Sequence, residues 1–89
     1  MANLYLIDKP NGENALALAA LDGDAKVVLI QDGVYLDAGA ANQNGAKVFA
    51  IAKDVEKRGL KARIPSYVEV IDYGKLVDLI VDNKVINFA

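Results

Sequence analysis

Val27-Val28-Leu29-Ile30-Gln31-Asp32-Gly33-Val34-Tyr35 is the stretch on which the fold turns. Four consecutive apolar residues end at a polar pair and a glycine. A strand with one wet face alternates in polarity, whereas a run that is apolar throughout is covered on both faces, as in a parallel sheet. Gly33 lets the backbone turn sharply after the run, and Tyr35 follows as an amphipathic contact residue. Val48-Phe49-Ala50-Ile51 repeats the continuous pattern, and Leu4-Tyr5-Leu6-Ile7 is a third apolar run. The fourth, Tyr67-Val68-Glu69-Val70-Ile71, carries Glu69 in its middle and is placed nearer an edge.

The intervening segments read as helices. Glu13 to Leu21 is rich in Ala and Leu and stops at Asp22-Gly23-Asp24. Lys53 to Arg58 is a short helix closed by Gly59, where a left-handed residue is wanted. Tyr73 to Asp82 is the clearest helix: Tyr73, Leu76, Val77, Leu79 and Ile80 form the expected buried stripe, and Lys75, Asp78 and Asp82 the wet one. Val34 to Asn44, with its small residues, reads as a short helix and a loop. Asp24-Ala25-Lys26-Val27 and Gly45-Ala46-Lys47-Val48 look alike and read as two similar helix-to-strand turns. The tail Val85-Ile86-Asn87-Phe88-Ala89 is apolar enough to dock on this subunit or a neighbour. Alternating strands and helices joined by short links imply right-handed crossovers. The expectation is one domain over residues 1–89: a three-layer α/β/α sandwich with flavodoxin-like layering and a small, mainly parallel sheet of about four strands.

Absences narrow the chemistry. The 89 residues include no Cys, His, Trp or Thr, and Ser66 is the one serine. Thiol chemistry, disulfides, Cys/His metal sites, imidazole bases and Walker-type phosphate loops all fall away. A formal net charge of −2 argues against a dedicated nucleic-acid or membrane-surface binder. No apolar run approaches the roughly 18 residues of a membrane span, and the first residues have no basic segment before an apolar core, so a cytoplasmic location is expected.

Three features bear on function. Gln31, Asp32, Gly33, Val34 and Tyr35 stand at the carboxyl end of the most apolar strand, where a sheet of this kind presents a surface. With Phe88 from the tail they form a candidate interface, Tyr35 as its anchor; equally, Tyr35 packs on its own sheet and Phe88 closes the core. Lys53, Lys57, Arg58, Lys61 and Arg63 are five of the ten basic residues and form a candidate patch for phosphate, an RNA backbone or an acidic partner. The plainer reading is a solvated helix face, since no glycine-rich loop or aromatic platform accompanies them. Asp8, Asp32, Asp54 and Asp72 each follow a strand closely. They suit a Mg²⁺ pocket at the strand ends, but Asp54 and Asp72 equally suit helix N-caps. No metal or other cofactor is expected in the leading reading.

Leu29-Ile30-Gln31-Asp32-Gly33-Val34, then Val48-Phe49-Ala50-Ile51 with Asp54 and Lys57-Arg58-Gly59-Leu60, then Val70-Ile71-Asp72-Tyr73 resemble the DsrH/TusB family in order and spacing over nearly the whole chain. The resemblance implies a small α/β subunit of the DsrE/DsrF/DsrH type. Such subunits work in cytoplasmic sulfur relay, either thiolation of the tRNA wobble uridine or sulfur oxidation. It implies partners resembling DsrE/TusD and DsrF/TusC, or a homodimer, and no direct nucleic-acid binding. The persulfide of the tRNA pathway rests on a cysteine of a sister subunit. Some sulfur-oxidising DsrH members carry a cysteine of their own; this chain has none. The expected function is therefore a non-catalytic subunit acting through protein contacts. The alternatives are a stand-alone small-ligand or nucleotide-binding module, and a Mg²⁺-dependent carboxylate site.

Overall fold

The computed structural model describes residues 2–88. Their strands are β1 (Asn3–Ile7), β2 (Lys26–Leu29), β3 (Lys47–Ile51), β4 (Val68–Ile71) and β5 (Lys84–Phe88). Their α-helices are α1 (Gly12–Ala20), α2 (Gly39–Gln43), α3 (Ala52–Lys57) and α4 (Tyr73–Asp82). The sheet runs β4-β3-β2-β1-β5, and every pairing is parallel. The apolar tail, as far as Phe88, is thus a fifth strand rather than a docked coil, and the sheet is one strand wider than expected; Ala89 lies outside the described residues. The tail escapes a strand reading because an edge strand is only half covered: Ile86 and Phe88 pack on one face of the sheet, while Lys84 and Val85 stay exposed. β4, carrying Glu69, is the opposite edge, as its broken apolar run predicts.

The continuous runs behave as parallel-sheet physics requires. Val27, Val28, Leu29, Val48, Phe49, Ala50 and Ile51 are all buried. Alternate residues feed two cores. Tyr5, Ile7, Val27, Leu29, Val48 and Ala50 meet the alanines of α1 and α2, among them Ala15, Ala19 and Ala41. Leu4, Val28, Phe49, Ile51 and Ile71 meet Leu79 and Leu76 of α4 on the other face. Small alanines let α1 and α2 lie close to the sheet, which closes three layers. The two look-alike turns sit side by side: Lys26 is in register with Lys47, and the Lys47 N–H donates to the Ala25 carbonyl at 3.1 Å.

α4 departs from its expected stripe. Leu79 is buried and Leu76 half-buried, but Tyr73, Val77 and Ile80 are exposed. A helix lying on one sheet face has only one side covered. The rest of its apolar circumference meets solvent. Among the described residues no helix is long and apolar enough to cross a membrane.

Candidate docking site at the carboxyl ends of the strands

β2 ends in extended backbone at Ile30, whose N–H donates to the Ile7 carbonyl at 3.0 Å. The chain then enters a 3₁₀ turn, Gln31–Tyr35. Gln31 takes φ 50°, among the described residues the one left-handed residue that is not glycine. A side chain in that region costs roughly 1–2 kcal/mol. The offset comes from Asp54, whose Oδ2 accepts the Gln31 N–H at 2.9 Å. Two residues on, Gly33 is needed for space: a Cβ there would strike the Ile7 carbonyl oxygen of β1.

A second tie holds the turn. Arg58 Nε donates to Asp32 Oδ1 at 2.8 Å, and its Nη1 donates to the Asp54 carbonyl at 3.2 Å while lying 3.5 Å from Asp54 Oδ1. The hydrogen bond to Asp32 and the two carboxylate charges hold the Arg58 guanidinium above its ordinary pKa. Arg58 is placed by the end of α3. The Gly59 N–H donates to the Glu56 carbonyl and the Leu60 N–H to the Val55 carbonyl, with Gly59 at φ 64°. This Schellman closure is the one expected from Gly59. The turn is therefore pinned from below and from the side, leaving Tyr35 half-exposed with Lys9 Nζ 5.7 Å above its ring.

Beside the turn opens a cleft of about 500 Å³. Val34, Tyr35 and Asp37 form one wall; Leu60, Ile64 and Tyr67 form the other, with Arg63 at its margin. The Tyr67 hydroxyl donates to Asp37 Oδ1 at 3.4 Å, and the Gly39 N–H donates to the same oxygen at 2.9 Å. Burial, then the Asp37 charge, pushes the Tyr67 pKa up.

The structure separates the other candidates. Phe88 stacks on Tyr5 at 6.2 Å within its own sheet. The basic segment divides: Arg58 is committed to Asp32 and Asp54, Lys53 Nζ lies 5.9 Å over the Tyr73 ring, Arg63 edges the cleft, and Lys57 and Lys61 are exposed. The strand-end carboxylates have separate tasks. Asp8 and Asp72 cap helices, accepting the Lys9 and Lys75 N–H at 2.6 and 2.8 Å. Asp54 does not cap α3 as expected. β3 runs straight into the helix at Ala52, so Asp54 falls inside the first turn and serves Gln31 instead. Among the described residues no three acidic side chains are grouped to hold a metal ion. The role of Asp54, and with it the Asp32–Arg58 tie, has no local signature because its partner is 23 residues away.

A protein-family comparison matches residues 10–86 to the family described as "DsrH like protein". No curated protein matches the chain. Among solved structures, the crystal structure of the YchN protein from E. coli is similar in fold, with a TM-score of 0.78 over 99% of both chains at 16% identity.

Proposed function

The chain belongs to the DsrH-like family, and on that premise we propose that it is a non-catalytic, cytoplasmic sulfur-relay subunit that acts through protein–protein contacts. The observation that carries this reading is the pinned 3₁₀ turn: a loop tied to α3 through Asp54 and Arg58 at the carboxyl ends of the strands, which offers Tyr35 to solvent on a chain without cysteine or histidine. An aromatic anchor on a backbone already held in place binds with a smaller ordering cost. The chain cannot carry a persulfide, so the sulfur rests on a cysteine of a partner resembling DsrE/TusD or DsrF/TusC. The relay serves tRNA wobble-uridine thiolation or sulfur oxidation.

The test is reconstitution with those homologous subunits. The purified chain takes up no persulfide label from a cysteine desulfurase, and it joins the subunits in a complex that light scattering detects. Tyr35→Ala weakens that complex at least roughly 30-fold while the chain stays folded. Stoichiometric persulfide label on this polypeptide, or no complex at tens of micromolar, overturns the proposal. The cleft supports a second reading, a small-ligand site, because its volume and mostly apolar walls fit such sites.

A further inference from the structure

The two look-alike turns of the sequence take no part in the docking site. They lie at the amino ends of the strands, where Asp24-Ala25-Lys26 leads into β2 and Gly45-Ala46-Lys47 leads into β3. Lys26 and Lys47 are partners in register on neighbouring parallel strands, so their α carbons are roughly 4.8 Å apart. Each stands two residues before a core side chain of the α4 face, Val28 and Phe49, so both project to that face. Among the described residues neither ammonium enters an ion pair or a hydrogen bond. Two cations held side by side repel, and an oxyanion between them turns the repulsion into two charge-assisted contacts.

A pocket of about 330 Å³ opens at this pair, lined by Ala2, Gly23, Asp24, Lys26, Gly45 and Lys47. Gly45 presses against Gly23 there: at φ 104°, a Cβ on it would lie 3.0 Å from the Gly23 carbonyl oxygen. Every lining residue is small or charged, so the walls offer no aromatic or apolar body to a nucleobase or a hydrophobic ligand. The Asp24 N–H donates to Asp22 Oδ1 at 3.2 Å, but the Asp24 carboxylate accepts no hydrogen bond among the described residues. It is open to hydroxyl donors. Two cations and one carboxylate in a polar pocket match a phosphate monoester that also carries hydroxyls. Such a phosphate holds roughly −1.5 to −2 charge at pH 7, more than one lysine neutralises. The volume stands at the small end of ligand sites and suits a sugar phosphate. We propose that this pocket binds a phosphorylated sugar, with the phosphate between Lys26 and Lys47 and the hydroxyls on Asp24.

The pocket is at the opposite end of the strands from the 3₁₀ turn, so the two readings fail independently. Titration of the whole isotope-labelled chain at low salt, followed by amide NMR shifts, is the measurement. Ribose-5-phosphate should shift, and saturate, the amides of residues 23–26 and 45–47. Inorganic phosphate should reach the same residues more weakly, and ribose alone should leave them unmoved. Lys26→Gln and Lys47→Gln should each weaken ribose-5-phosphate binding at least roughly 5-fold with an unchanged circular dichroism spectrum. Asp24→Ala should bring ribose-5-phosphate and inorganic phosphate to the same affinity, because only the sugar uses the carboxylate. Tyr35→Ala should leave the binding intact. No saturable shift at millimolar ribose-5-phosphate overturns the proposal. So do equal shifts from sodium chloride at matched ionic strength, or lysine variants that bind as the wild type does. A short RNA that binds these residues more tightly than the sugar phosphate assigns the lysines to a nucleic-acid backbone and also overturns it.

Discussion

At Gln31 the chain accepts a left-handed residue where glycine is the unstrained choice, and the reason is the company the residue keeps. Its N–H points at a carboxylate that is nearly buried and that also neighbours Arg58. Two substitutions separate the backbone strain from the tie. Gln31→Gly relieves roughly 1–2 kcal/mol of left-handed strain and adds about 0.5–1 kcal/mol of unfolded-chain entropy. The net expectation is a small gain in urea stability, between about 0 and 1.5 kcal/mol. Asp54→Ala removes a charged acceptor and strands the Gln31 N–H, and should cost about 1.5–3 kcal/mol. A neutral result for Asp54→Ala would mean that the turn holds itself. None of this is written near Gln31: a polar residue after a strand looks the same whether its φ is negative or positive, and only the arrival of α3 supplies the acceptor.

Among the elements, α4 shows which signals are local and which are not. Its start is legible, because Asp72 sits one residue before the helix and its Oδ1 accepts the Lys75 N–H at 2.8 Å. Asp72→Ala should cost about 0.5–2 kcal/mol, while Asp72→Asn, which keeps an acceptor, should be nearly neutral by thermal melting. Equal losses in the two variants would assign Asp72 a role in charge rather than capping. The end of α3 is legible for the same kind of reason, since Gly59 is one of the few residues that closes a helix without strain. The inward face of α4 is not legible. Tyr73, Val77 and Ile80 belong to the same apolar arc as Leu76 and Leu79, and periodicity marks that arc without saying which part of it the sheet occupies. Asp54 fails differently. Its spacing fits a cap, but the straight run from β3 into α3 moves the helix start and frees the carboxylate for another element.

Over the whole molecule, the two faces of the sheet are unequal. The face under α1 and α2 draws on many buried alanines and valines, whereas α4 alone covers the other, with Leu79 its one buried side chain. For 89 residues the total stability is about 4–13 kcal/mol. Leu79→Ala should cost about 2–5 kcal/mol, enough to leave a large unfolded fraction at the low end of that range, and a denaturant titration would show it. A cost below about 1 kcal/mol would mean that α4 is replaceable as a cover for the sheet. The sequence by itself determined the α/β class, four of the strands, the parallel sense of the buried ones and the exclusion of thiol and imidazole chemistry. Continuous apolar runs and missing residue types are properties of composition and short spacing, and folding does not change them. The tertiary structure alone decided the fifth strand, the sheet order, the pairing of Asp54 with Gln31 and the exposed side of α4. Each of these depends on which distant segment arrives beside a given residue, and long-range packing fixes that where local spacing cannot.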